Sequence, residues 1–209
     1  MTIFADRAEA GKQLAQALEH LSGEEIVVLG VPRGGVEVAA EVAGQHGWDL
    51  DIVIPRKIGA PLNPELGLGA IAPGVRVLDE RMLRTLGVSE EYLEKEIRAQ
   101  EEEIERRSAA YRRGRPQADL TGRTAVIVDD GIATGGTAIA AIRWAKAQGA
   151  ARVVLAIPVA PRQALSRLGE EADEVVCLDT PEPFYAVGQW YADFPQTEDR
   201  QVIRLLDRS

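Results

Sequence analysis

The segment Val126–Ala138, VIVDDGIATGGTA, constrains the fold more than any other part of the chain. An apolar run beginning at Thr124 stops at two carboxylates, turns through three glycines and two threonines, and resumes at helical spacing over Gly136–Gln148. A run apolar on both faces is a strand covered on both faces, so the unit reads as strand, tight turn and covering helix. The same grammar recurs. Glu24–Gly30 holds IVVL, stops at glycine and precedes a helical pattern over Gly34–His46. Leu50–Ile54 is a short strand ended by Pro55, Arg152–Ile157 is a strand followed by a helix at Pro161–Leu168, and Glu174–Leu178 is the last clear strand. Two shorter β candidates lie at Gly69–Ala72 and Arg76–Leu78. Such alternation predicts an α/β fold, a mostly parallel sheet flanked by helices. Ligands of such sheets bind beyond the carboxyl ends of the strands.

Three further helices are expected. Asp6–Leu21 carries apolar residues near helical spacing. Ser89 caps a long helix over 89–113 that ends in Arg112, Arg113 and Gly114, before Pro116. Thr197–Leu206 reads as a closing helix.

A length of 209 residues suits one domain with an elaboration. With 45% hydrophobic and 27% charged residues the chain can build a core. The net charge of −9 gives no global footprint for nucleic acid, so no nucleic-acid partner is expected. No apolar run approaches the ~20 residues of a membrane span, and residues 1–20 do not read as a signal peptide. Cys177 is the single cysteine, which excludes an intrachain disulfide and fits a reducing compartment. No membrane partner and a cytoplasmic location are the expectations.

The turn after the third buried strand has the chemistry of an anion cradle. Glycines let the backbone approach an anion closely, and the new helix offers unpaired N–H groups at the positive end of its dipole. Thr134 and Thr137 add hydroxyl donors. An acidic protein can hold a phosphate this way with neutral groups. No lysine follows the glycines, so this is not a nucleotide P-loop. Adjacent strand side chains point oppositely, so Asp129 and Asp130 face one ligand together only if the strand ends before them. Two carboxylates beside a phosphate cradle suit ribose hydroxyls or a bound Mg²⁺.

Here the sequence resembles the type I phosphoribosyltransferases, whose signature is an apolar strand, two acids and a T-G-x-T-type loop. The resemblance implies 5-phosphoribosyl 1-pyrophosphate (PRPP) as ligand, with Asp129 and Asp130 on the ribose hydroxyls. Mg²⁺ would be held directly by these acids or through PRPP or water. Gly131, Ala133, Thr134, Gly135, Gly136 and Thr137 would bind PRPP, the last five through its 5-phosphate. The fold implied is type I phosphoribosyltransferase-like and Rossmann-like. It covers 1–209 as one domain, with a catalytic-loop region and helical elaboration over 58–116 and a C-terminal hood over 179–209.

Two more loops stand where the family places anion sites. Arg33, Gly34 and Gly35 follow the first strand and resemble the pyrophosphate loop, which implies a cis peptide at Pro32–Arg33. Arg56 and Lys57 follow the second strand and resemble the basic pair that precedes the catalytic loop. Pro61, Asn63, Pro64, Gly67 and Gly69 would form or flank that loop. Breaking the bond from ribose C1 to pyrophosphate puts positive charge on the ring and negative charge on the leaving group. Lys57, Asp129 and Asp130 are therefore the candidate catalytic residues.

The acceptor is sought near Pro183–Phe194, which holds five of the ten aromatics. By a loose resemblance to purine-using relatives, Val187, Gly188, Tyr191 and Asp193 would line an acceptor pocket. Trp190 and its aromatic neighbours offer stacking faces. The alternative is that these aromatics cover the sheet edge. Relatives that use 6-oxopurines often carry aspartate where this chain has Ala133, which argues against such a base. The expectation is a Mg²⁺-dependent transferase with PRPP and a small-molecule acceptor as partners. A non-catalytic module sensing PRPP or a nucleotide is the alternative. The 89–113 helix is expected to cover the site, meet a second subunit in a homodimer, or present a solvated face.

Overall fold

The computed structural model describes residues 3–208, apart from the side chain of Glu65. Met1, Thr2 and Ser209 of the expected 1–209 span lie outside the described residues. Helix α1 spans Arg7–Ala17, strand β1 Ile26–Gly30, helix α2 Gly34–His46 and strand β2 Asp49–Ile52. Three strands follow, β3 at Arg56–Ala60, β4 at Asn63–Ala72 and β5 at Val75–Leu78. Helices α3, Glu80–Leu86, and α4, Glu90–Arg112, precede β6 at Thr124–Val128 and α5 at Gly136–Ala147. The chain then forms β7, Arg152–Val159, α6, Arg162–Gly169, β8, Glu174–Asp179, a short 3-10 turn at Val187–Trp190, and α7, Asp199–Leu206.

Five strands form a parallel sheet in the order β2-β1-β6-β7-β8. Strand alternation divides its side chains between two cores. Ile26, Val28, Val126, Val128, Val154 and Ala156 pack with Leu14, Leu18, Val38 and Val42 of the α1 and α2 side. Val27, Leu29, Ala125, Ile127, Val153 and Leu155 pack with Ile139, Ile142 and Trp144 of α5. Both faces are covered, which is why these strands read as continuous apolar runs. Their loops share one end of the sheet.

The largest departure from the sequence reading lies between β2 and α3. Strand β2 ends at Ile52 rather than Ile54. Arg56 and Lys57 belong to a strand, not to a loop, and Gly69–Ala72 is only the end of a ten-residue strand. With β5 these strands form a separate antiparallel sheet, β3-β4-β5. The residues expected to make a catalytic loop thus fall largely within a β-hairpin. Its pairing shifts register on both sides of Gly59. A Cβ on Gly59 would meet the Pro64 carbonyl oxygen at 2.7 Å, and one on Gly69 (φ 152°) would meet that of Val77 at 2.2 Å. These glycines serve close strand contact. Helix α3 also went unread, since it buries none of its residues fully.

Helix α4 follows the expected bounds closely. The Ser89 hydroxyl accepts from the Tyr92 N–H, and Arg113 ends the helix at φ 51°. Its buried stripe is Ile97, Ile104 and Tyr111, which packs into the core on the α2 side. Tyr111 Oη donates to Asp199 Oδ1 of α7 at 2.7 Å. Arg112 grips the buried Asp51 of β2 through Nε, at 3.0 Å. The helix is therefore clamped to the sheet edge and to α7 on one face.

Candidate active site

Strand β6 ends at Val128, so Asp129 and Asp130 lie beyond its ladder. This frees adjacent carboxylates from opposite sides of a strand. Gly131 follows at φ 154°, where a Cβ would lie 2.5 Å from Val187 Cγ1. Ala133 and Thr134 are exposed, and Gly135, at φ 86°, opens α5 in the left-handed region. No side chain caps the first N–H groups of α5. The turn therefore presents unpaired amides at a helix N-terminus, beside two carboxylates, as an anion cradle requires.

The β1–α2 loop closes against the same acids. Its Pro32–Arg33 peptide is cis, as the resemblance implies. A Cβ on Gly34 would meet Asp130 Oδ2 at 2.0 Å, and one on Gly35 would meet the Asp129 Cα at 2.8 Å. Only glycine backbone fits this near the acids. Arg33 stands at the rim, 3.8 Å from Asp199 Oδ1 and partly exposed. An open cavity of about 420 Å³ is lined by Arg7, Arg33, Gly34 and Phe194–Thr197.

Sequence reasoning missed Arg7 and assigned Tyr191 another role. Arg7 is buried at the start of α1 and donates from Nε to Asp130 Oδ2 at 2.8 Å. Its Nη1 donates to the Pro195 carbonyl at 2.7 Å, and its guanidinium stacks 3.8 Å from the Phe194 ring centre. Tyr191 is also buried, and its hydroxyl donates to the Asp130 carbonyl oxygen at 2.5 Å. An arginine in the first turn of a helix opposes the helix dipole. That misfit was the one available sign that Arg7 serves something outside α1.

Burial pushes the Asp129 carboxyl well above the usual carboxylate range, and the neighbouring Asp130 charge adds to the effect. Asp129 Oδ1 accepts the Asp130 N–H at 2.9 Å. Burial also raises the Asp130 carboxyl, while the Arg7 guanidinium opposes that rise. Burial, reinforced by Asp130, raises the Tyr191 phenol, which keeps it a hydrogen-bond donor.

The other expected site residues divide. Arg56 turns to α4 and donates from Nε to Gln100 Oε1 at 2.8 Å; burial and then Arg107 lower its pKa. Lys57 is exposed on β3. Val187 lies against Gly131 at the acid loop. Trp190 is 6% exposed, in a satellite core with Phe4, Ala10, Val159 and Tyr191. That burial favours the sheet-covering role over stacking for Trp190. Asp193 is exposed, its N–H donating to the Ala5 carbonyl. Tyr185 is 80% exposed in the same hood segment.

A larger concavity of about 950 Å³ lies around the start of β2, lined in part by Trp48, Arg112, Arg115 and Arg123. Three of its arginines are engaged: Arg112 with Asp51, Arg115 with the Leu206 carbonyl, Arg123 with Asp49. It offers no acid pair beside a glycine-rich helix start. Among the described residues, no three His, Cys, Asp or Glu side chains are arranged to hold a metal. The Asp129 and Asp130 oxygens still suit Mg²⁺, which commonly takes one or two carboxylates and completes its shell with substrate phosphates and water.

A parallel sheet with an acid pair and a glycine-rich helix start at one strand end, faced by a second glycine loop, defines an α/β domain with a candidate anion site at its strand ends. The family profile described as "Phosphoribosyl transferase domain" matches residues 3–193. The "Putative phosphoribosyl transferase Rv0571c" of Mycobacterium tuberculosis is 51% identical over 210 residues, which cover 100% of this chain and 47% of that protein. The crystal structure of TT1426 from Thermus thermophilus superposes with a TM-score of 0.83 at 47% identity, covering 98% of each chain. A ribose-phosphate pyrophosphokinase of Methanopyrus kandleri is 30% identical over 86% of this chain and 45% of its own length. The chain belongs to the type I phosphoribosyltransferase family. It spans about half the length of the curated relatives it matches.

Proposed function

We propose that this domain transfers the phosphoribosyl group of PRPP to a small nucleophile, with Mg²⁺ bound, and releases pyrophosphate. The carrying observation is the acid pair beyond β6, flanked by the α5 N-terminal loop and touched by the Gly34–Gly35 backbone. In this reading, amides and hydroxyls of Ala133–Thr137 hold the 5-phosphate, and Asp129 and Asp130 accept from the ribose hydroxyls. Arg33, Gly34 and Gly35 receive the pyrophosphate from one side, and Lys57 meets it from the hairpin. Arg56, turned to Gln100, supports the base of that hairpin.

The bond from C1 to the pyrophosphate oxygen breaks, and its electron pair leaves with pyrophosphate. The acceptor forms the new bond to C1. The carboxylates stabilise the positive charge that develops on the ring, and Arg33 and Lys57 stabilise the leaving group. Bound Mg²⁺ would supply further neutralisation of the pyrophosphate through Asp129, Asp130 or PRPP itself.

Val187, Asp193 and the exposed Tyr185 are the hood residues best disposed to meet an acceptor. Ala133 argues against a 6-oxopurine. The test is pyrophosphate release from PRPP and Mg²⁺ across a panel of nucleobases and amines, paired with calorimetric PRPP binding. Release with one acceptor class supports the transferase. Binding without release from any acceptor replaces it with a PRPP-sensing role, and absence of binding removes both.

A further inference from the structure

We infer that Arg7 is a positioning residue for Asp130, fixing the ribose-binding carboxylate and the Gly34 loop in one arrangement. The inference rests on the PRPP reading above and adds a residue to it. Arg7 is 6% exposed, and taking an arginine out of water is costly unless its charge and donors are met. Its charge is met by Asp130, and two of its nitrogens have protein acceptors. Nε binds Asp130 Oδ2, Nη1 binds the Pro195 carbonyl, and the guanidinium face covers Phe194. Core packing alone does not call for an arginine here.

Asp130 is thereby held at two points. Arg7 fixes its carboxylate, and Tyr191 Oη fixes its backbone carbonyl. The carboxylate keeps acceptor sites for a ribose hydroxyl, and Arg7 fixes the direction in which it offers them. The pair also supports the neighbouring loop, since a Cβ on Gly34 would fall 2.0 Å from Asp130 Oδ2 and 2.7 Å from Arg7 Nε. The loop assigned to pyrophosphate therefore rests on the ion pair that orients the ribose acid. A lysine keeps the charge but lacks the planar fork that reaches Asp130 and Pro195 together while lying on Phe194.

The test is calorimetric PRPP titration, with Mg²⁺, of the wild type, R7Q, R7K, D130N and the R7Q/D130N double variant, with melting temperatures for each. Partners that orient a ligand-binding side chain typically contribute 10- to 100-fold in affinity, so R7Q should bind PRPP about 10- to 100-fold more weakly. R7K should fall between R7Q and the wild type. On the D130N background, R7Q should change affinity by no more than about twofold, because its target is already gone. An equal loss with and without Asp130 would show that Arg7 acts only through general stability, and would overturn the proposal. Unchanged PRPP affinity in R7Q would do the same. Should R7Q fail to fold, R7K and R7K/D130N give the same comparison. Absence of PRPP binding by the wild type itself overturns the functional reading and, with it, the role of Arg7; binding by the wild type separates the two.

Discussion

Gly34 and Asp130 come together so tightly that a Cβ on the glycine would lie 2.0 Å from the aspartate Oδ2. The two residues are almost a hundred positions apart in sequence, and their contact joins the loop after β1 to the loop after β6. Gly34→Ala must displace the carboxylate, the Arg7 guanidinium or the loop. Overpacking of this kind costs about 1–3 kcal/mol. Thermal unfolding should report that loss, and PRPP binding should weaken with it. A variant that melts and binds as the wild type does would show that the loop yields freely, against the fixed arrangement described.

Asp130→Asn and Lys57→Ala address the two charges of the proposed transition state. Removing one preorganised electrostatic contact costs roughly 10²–10³ in turnover. Steady-state pyrophosphate release, once an acceptor is known, should fall by at least that factor in each variant. Near-normal turnover by both would remove these residues from the chemistry.

The Asp51–Arg112 pair is structural by contrast. Its side chains are only 8% and 12% exposed, and Asp51 Oδ2 also accepts the Ala118 N–H at 2.9 Å. Arg112→Met leaves a buried carboxylate without its cation, a change that costs about 3–5 kcal/mol. Urea unfolding should show a lower midpoint, while PRPP affinity per folded molecule stays within about twofold of the wild type. A shift below 1 kcal/mol, on the order of a surface pair, would mean that water reaches Asp51.

Tyr111 gives an alkaline signature. Burial, with the hydrogen bond to Asp199, pushes its phenol up to about 12. A folded pKa above the unfolded value of about 10 stabilises the protein while the phenol stays protonated in both states. That contribution is fully present below pH 10 and is lost as pH rises from about 10 to 12. Tyr111→Phe should lower stability by about 1 kcal/mol at neutral pH. Its melting temperature should then fall less steeply than the wild type's across that alkaline window. Parallel curves would show that Tyr111 titrates normally.

The parallel sheet was legible in the sequence because both of its faces are buried. Ile26–Gly30, Thr124–Val128 and Arg152–Val159 had to be apolar almost throughout, and short unbroken apolar runs that stop at glycine or at acids suit central strands. The acid pair and its glycine loop were legible because backbone approach and charge both restrict residue type. The hairpin over Arg56–Ala72 was not, because its glycines answer to contacts with Pro64 and Val77 that no local pattern encodes. Arg7 was hidden for a related reason. Its partners are Asp130, Phe194 and Pro195, all distant in sequence. Trp190 shows the limit of composition: an aromatic near a strand end suits a ligand face and a satellite core equally, and only its burial separates them.

The Arg7–Pro195 hydrogen bond spans 188 residues of chain. A ribosome makes the acid loop and the Gly34–Gly35 loop well before it makes Pro195. Until that residue has emerged, Arg7 lacks the carbonyl and the Phe194 ring that hold it beneath Asp130. On this account a nascent chain carries every residue assigned to PRPP well before it gains the finished pocket, which waits for Phe194 and Pro195. Ligand binding would then mark the closing of this long-range clasp, and a protein cut short before Phe194 would keep most of its sheet while losing its grip on the sugar.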